Sequence, residues 1–150
     1  MDVPPRDTRQ RKHDLLARLA REREAWVSTS SPDAEPYLVP LWFHWDGTAL
    51  WLSTRSTNPT GRNLRAVPRA RVSLGDPWDV VLVDGTVETF TVRDVPTAVA
   101  DAIAADWAWD PRAEGDAYGY FRVQPRSIQV WRGVPELAGR WVMRDGAWAD

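Results

Sequence analysis

The stretch "STRSTNPTGRNLRAVP" at residues 53–68 concentrates groups that could hold an anion. Ser53, Thr54, Ser56, Thr57 and Thr60 supply hydroxyls, and Arg55 and Arg62 bracket a predicted helix start. The first turn of a helix carries unpaired N–H groups and the positive end of the helix dipole. Hydroxyls, guanidiniums and free amides together suit a phosphate monoester. The plainer alternative is an ordinary capped loop, because Ser and Thr favour such places in any case.

Most other chemistries are missing. Without cysteine, the chain can form no disulfide, thiolate zinc site or cysteine nucleophile. Of the two histidines, His13 lies on the charged face of a predicted helix and reads as solvated. His44, among Trp42, Phe43 and Trp45, reads as a core or interface histidine rather than a ligand. No H-E-x-x-H, G-x-S-x-G or Walker pattern occurs. Asp106 with Asp110, and Glu114 with Asp116, fall in or beside a predicted loop and read as solvated surface charge. No side-chain set therefore points to acid–base or nucleophilic catalysis. Either the protein is not an enzyme, or a cofactor carries the chemistry.

Composition narrows the setting. The 150 residues suggest one domain over 1–150, with 1–7 as a loose lead-in containing Pro4 and Pro5. A net charge of -2 and a pI near 5.7 argue against bulk nucleic-acid binding. No apolar leader or membrane-length run is seen, so a soluble cytoplasmic protein is expected. Lys12 is the only lysine, and Ile and Asn are scarce, which fits a GC-rich genome and weakens any argument from arginine number alone. The ten tryptophans are harder to explain that way, because Trp is favoured at interfaces and ligand pockets.

The elements that must position these residues follow from periodicity. Residues 8–25 predict an amphipathic helix capped by Thr8, with Leu15, Leu16 and Leu19 as its apolar stripe. Strands are predicted at 25–30, 36–45 and 49–54, the last two joined by an Asp46-Gly47-Thr48 hairpin. Pro40 implies an edge, a bulge or an interrupted ladder. A short helix at 58–67 takes Asn58 as cap and Pro59 at its first position. Residues 69–74 alternate, with Ala70, Val72 and Leu74 on one face. Residues 80–92 form either a hairpin or one strand with a bulge at Gly85. A helix at 94–107, capped by Asp94 or Thr97, buries Ala98, Val99, Ala102 and Ile103; residues 108–119 read as a loop. "YFRVQ" and "SIQVW" predict strands broken at Pro125, and Asp145-Gly146 a terminal hairpin. Hairpins outnumber strand–helix–strand alternation, so the fold class is mainly β: an antiparallel barrel with flanking helices.

The order "PLWFHWDGTALWLST", "RNLRAVPRARVSL", "DVVLVDGTVE" and the tail "VWRGVPELAGRWVMRDGAW" resembles the pyridoxamine 5'-phosphate oxidase-like split-barrel family over roughly residues 10–145. Within it, the sequence is most similar to the actinobacterial flavin and deazaflavin branch. The resemblance implies a six-stranded split barrel and a homodimer with two cofactor sites at its interface. It implies FMN or F420 as cofactor, hydride exchange with a small organic substrate, and backbone around Pro40, Leu41, Trp42 and Phe43 along the ring. Ser53, Thr54 and the loop through Arg55 and Thr60 to Arg62 and Asn63 would hold the phosphate, and Trp131 would approach from the partner chain. One departure stands out: the family often has Lys or Arg three residues before the Asn of "RNL", where this chain has the uncharged Thr60. Arg62 and Arg55 are the candidate substitutes, and Arg65, Arg69 and Arg71 are candidates to line a groove for the F420 tail. Two other readings stay open: a storage protein for a flavin, deazaflavin or other planar ligand, and a dimeric barrel without cofactor.

Overall fold

A computed structural model describes residues 3–150. Helix α1 (Thr8–Arg21) follows the apolar stripe: Leu15 and Leu19, four apart, are fully buried against the sheet. Each such burial contributes about 1.5–3 kcal/mol. Its cap is Asp7 rather than Thr8, because the Asp7 carboxylate accepts the Gln10 N–H at 2.8 Å. The lead-in is not loose throughout. The Arg6 N–H and guanidinium both donate to Glu136, at 2.9 and 2.8 Å.

Strand β1 (Glu24–Ser30) alternates Ala25, Val27 and Thr29 inward with Trp26 and Ser28 outward. The strand expected at 36–45 is two strands, β2 (Pro36–Trp42) and β3 (His44–Trp45). Tertiary contacts part them at Phe43. Its N–H donates to the Arg23 carbonyl (2.7 Å), its carbonyl accepts the Trp107 indole (3.2 Å), and its ring is fully buried. The Asp46–Gly47 hairpin joins β3 to β4 (Leu50–Arg55), and the Asp46 carboxylate accepts the Thr48 and Ala49 N–H groups at 2.8 Å each.

Helix α2 (Pro59–Ala66) and strand β5 (Arg69–Ser73) match expectation. Residues 80–92 resolve as one long strand, β6 (Asp79–Phe90), whose register to β7 (Tyr118–Arg132) shifts between Asp84 and Gly85. The break expected at Pro125 does not occur. Pro125 pairs opposite Gly85, and Arg126 is the extra residue of the bulge. A Cβ on Gly85 would lie 2.6 Å from the Gln124 carbonyl oxygen, so only glycine fits there.

Helix α3 (Thr97–Trp107) starts at Pro96, which occupies the cap position, while Asp94 closes the preceding turn on Thr91. It buries Ala100, Ile103 and Trp107; Ala98 and Ala102, expected inside, face out. The loop expected at 108–119 contains two 3-10 turns within Pro111–Ala117, parted by a kink at Gly115 (φ 63°). The C-terminal hairpin forms as β8 (Trp141–Arg144) and β9 (Ala147–Trp148).

The sheet is antiparallel in the order β2-β1-β5-β6-β7-β4-β3, with β8 and β9 appended to β7. Because β2 runs into β3 at Phe43, the path curls round to meet itself. Counting β2–β3 as one kinked strand, six strands make a split barrel with flanking helices. Val27, Phe43, Leu50, Leu52, Val72, Val83, Phe121 and Ile128 fill its interior. A second cluster, Trp51, Val95, Ile103, Trp107 and Tyr120, lies under α3.

Candidate functional site

The site has two parts, a shelf on β2 and the loop from β4 to α2. Strand alternation decides what the shelf presents. Pro40 and Trp42 are exposed, whereas Leu41 packs on the core and Phe43 is wholly inside. Of the four residues expected along a ring, Pro40 and Trp42 offer exposed side chains, Leu41 a partly buried one, and Phe43 only backbone. Both backbone groups of Phe43 are already hydrogen-bonded within the chain.

A cavity of about 580 Å³ lies over the shelf, lined by Glu24, Pro40, Leu41, Trp42 and Trp109. Trp109 was not foreseen. It sits in the segment read as a loop, and its only signal was a large aromatic among Asp, Pro and Gly. Ala108, at φ 51°, ends α3 in the left-handed conformation and turns the chain so that Trp109 reaches the shelf. Trp42 is braced by the edge of Trp107 (6.2 Å) and by the Arg23 guanidinium (5.3 Å). Trp109 is braced edge-on by Tyr118 at 5.2 Å, and the Arg55 guanidinium lies over that same Tyr118 ring at 5.2 Å. These contacts form a continuous line from the shelf to the loop.

The loop splits its residues between two faces. Ser53 donates to the Gly119 carbonyl at 2.9 Å, while Thr54 is buried and accepts from Asn58 at 3.2 Å. Asn58 therefore holds the cap position without making a side-chain cap. Thr60 and Asn63 are also buried, and Asn63 donates to Thr29 at 3.1 Å. Gly61 explains the close packing: a Cβ there would lie 2.5 Å from the Arg55 carbonyl oxygen, so the first turn of α2 rests directly on the end of β4.

Arg55, Thr57, Arg62 and Arg65 remain outside. Arg62 donates to the Thr57 carbonyl at 2.8 Å and Arg65 to the Gly61 and Ser56 carbonyls. Among the described residues, no carboxylate lies within 4.0 Å of Arg55, Arg62 or Arg65. The loop is thus a patch of positive charge with no internal counter-ion. Arg71, by contrast, is held bidentate by Asp84. Asn63 meets β1 at Thr29, opposite Tyr37, and the shelf begins three residues along β2 at Pro40, roughly 10 Å away.

Trp131 stands on the outer face of β7 opposite Val80, and is not among the residues lining the shelf of its own chain. His44 is half-buried, as expected of a core histidine. Its Nδ1 lies 2.8 Å from the carboxylate of Asp106, which stays exposed, as expected of surface charge. Asp110 accepts the Arg112 N–H at 2.9 Å and pairs with its guanidinium; these bonds outweigh burial and hold its carboxyl below the usual range. The His13 side chain is exposed. Among the described residues, no group of three His, Asp or Glu is placed to hold a metal ion, and no helix is long and apolar enough to cross a membrane.

The same architecture occurs in solved structures. One described as an F420 reductase is 24% identical, with 75% of this chain and 93% of that one covered and a TM-score of 0.62. A putative pyridoxamine 5'-phosphate oxidase from Listeria innocua is 16% identical, with coverages of 79% and 96% and a TM-score of 0.65. The heme storage protein HutZ from Vibrio cholerae is 13% identical, with coverages of 84% and 99% and a TM-score of 0.67. Likeness at these identities carries the fold alone. No curated protein matches the chain. The family model described as pyridoxamine 5'-phosphate oxidase matches residues 12–132, a span containing the shelf, the loop and Trp131, and the chain belongs to that family.

Proposed function

We propose that this protein binds FMN or F420 and uses it to exchange hydride with a small organic substrate. The observation that carries the reading is the union of shelf and loop. An apolar, aromatic cavity lies at one end, three guanidiniums without a counter-ion among the described residues lie at the other, and the Trp109–Tyr118–Arg55 contacts connect them. A ligand with a flat ring and a phosphate some distance from it suits that arrangement. When bound, the ring would supply the hydride chemistry. The chain's own part is to orient: Pro40 and Trp42 against the ring, Leu41 and Phe43 through the backbone course of β2, and Arg55 and Arg62 toward the phosphate. Ser53, Thr54, Thr60 and Asn63 act mainly by shaping the loop. The charge that Thr60 lacks is then supplied from the surface by Arg62 and Arg55. The family and the F420 reductase likeness support the cofactor class.

The reading includes a homodimer. Trp26, Leu38 and Trp42 leave an apolar outer face on β1 and β2, and a partner chain seated there would bring its Trp131 to the site. Titration of the purified protein with FMN and with F420, followed by fluorescence, tests the proposal. Saturable binding of neither would sink it and leave a cofactor-free dimeric barrel. Binding without reoxidation by any electron acceptor would favour storage.

Storage of another planar ligand is the second reading. Two structures with this fold are described as heme-binding, from Mycobacterium smegmatis, and heme storage proteins. His44, with Nδ1 held by Asp106, is the histidine nearest the shelf in sequence. Heme titration of wild type and His44→Ala checks it: no Soret shift, or an equal shift in both, rules out His44 as a heme ligand.

A further inference from the structure

We infer that Trp109 and Trp42 form a preorganised aromatic jaw that takes a flat, uncharged ring system by stacking. Trp109 is thus a ligand-contacting residue that determines which rings are accepted. The inference rests on the shelf reading above and deepens it.

Trp42 and Trp109 are 39% and 36% exposed, which for the largest side chain leaves much apolar surface in water. Yet neither is free to swing: Trp42 is pinned by Trp107 and Arg23, and Trp109 by Tyr118. The ordering cost of binding is therefore already met in the folded chain. Their indole N–H groups differ from those of the buried tryptophans. Trp51 and Trp107 donate their indole N–H groups to Asp46 and to the Phe43 carbonyl. Among the described residues, neither Trp42 nor Trp109 donates to any partner, so both indole donors remain for a ligand.

The rest of the lining sets the ligand class. Pro40 and Leu41 are apolar, and a cavity of about 580 Å³ lies within the range of small-molecule sites. The only charged lining residue is Glu24, which has no cation within 4.0 Å among the described residues. A carboxylate at the rim of an apolar jaw disfavours an anionic ring. The negative charge of a bound molecule would instead go to the arginine loop, at the far end of the Trp109–Tyr118–Arg55 line.

Lumichrome, a neutral flavin ring system without side chain or phosphate, probes the jaw alone. Wild type should bind it saturably, with quenching of tryptophan emission. Trp109→Ala should weaken that binding about tenfold, and Trp109→Phe should restore most of it. Trp78→Ala, which removes an exposed indole outside this cavity, should change affinity less than about twofold. Circular dichroism and urea unfolding verify that each variant folds. Unchanged lumichrome affinity in a folded Trp109→Ala would overturn the jaw and leave the cofactor reading intact. The absence of any lumichrome binding by wild type would also overturn it, with FMN and F420 titrations then deciding the cofactor reading separately. If Trp109→Ala instead lowers the dimer fraction in sedimentation without touching lumichrome affinity, the jaw is a self-association surface and the inference falls.

Discussion

Two groups of arginines occupy opposite roles in this protein. Around α1, Arg6, Arg11, Arg18 and Arg132 are tied to Glu136, Asp14, Asp79 and nearby carbonyls, with Arg6 and Glu136 both nearly buried. On the β4–α2 loop, Arg55, Arg62 and Arg65 face solvent without a carboxylate partner among the described residues. Codon bias explains why both groups are arginine rather than lysine, but not why one set is neutralised and the other is not. The first set is structural: it fastens the N-terminus and α1 to the 3-10 turn at Val134–Glu136. The second is a charge held ready for something outside the chain.

The largest way to break the structural set is to remove its hub. Glu136 receives the Arg6 guanidinium and the N–H groups of Arg6 and Arg132. Glu136→Ala should lower stability by about 3–5 kcal/mol in urea unfolding, since it strands buried guanidinium. Burial pushes the Glu136 carboxyl up, but the Arg6 side-chain and backbone bonds, the Arg132 N–H and the Arg6 charge outweigh it and hold the group at about 2, against 4.5 in the unfolded chain. A depressed carboxylate stabilises the fold fully above the unfolded value and ceases to as pH falls through the folded one. The Tm gap between wild type and Glu136→Gln should therefore be constant at neutral pH and close between pH 4.5 and about 2.

Next in size is the support beneath the second set. Gly61→Ala forces a Cβ against backbone at the end of β4 and should cost about 1–3 kcal/mol. It should also weaken cofactor binding, because it lifts Arg62 from its place. Arg62→Ala should leave unfolding nearly unchanged while weakening FMN or F420 binding about tenfold, whereas Arg126→Ala, at the β7 bulge, should change it less than about twofold. Equal effects from the two would count against the β4–α2 loop as the phosphate site. The smallest effect belongs to Arg71→Ala. Its side chain is 58% exposed where it meets Asp84, and its loss should cost less than about 1 kcal/mol in the same unfolding assay.

Local pattern made much of the fold legible. The alternation of Ala70, Val72 and Leu74, the Asp-Gly turns and the Pro59 helix start each depend on neighbours in sequence; the bulge expected at Gly85 lies instead on the strand opposite, at Arg126. What escaped the sequence reading depends on partners far away. Phe43 leaves the ladder because Trp107 and Arg23 claim its backbone. Pro125 is tolerated mid-strand because the register to β6 shifts beside it, opposite Gly85, forty residues earlier. In the candidate site, the residue types of the loop were readable, but not which way they face. Thr54, Thr60 and Asn63 turn inward, and Trp109 arrives through a left-handed residue that no periodicity announces.

Strand β2 ends the sheet, yet its open edge is a poor template for growth. Pro36 and Pro40 stand four apart, so their missing N–H groups fall on the same side of the strand, and the ladder to β1 runs past both without a shift. The absent donors must therefore face away from β1. Another chain arriving there could not zip on as a tenth strand, which guards the protein against fibre-like stacking. Two copies would have to meet broadside, through the tryptophan-bearing surface, rather than rim to rim.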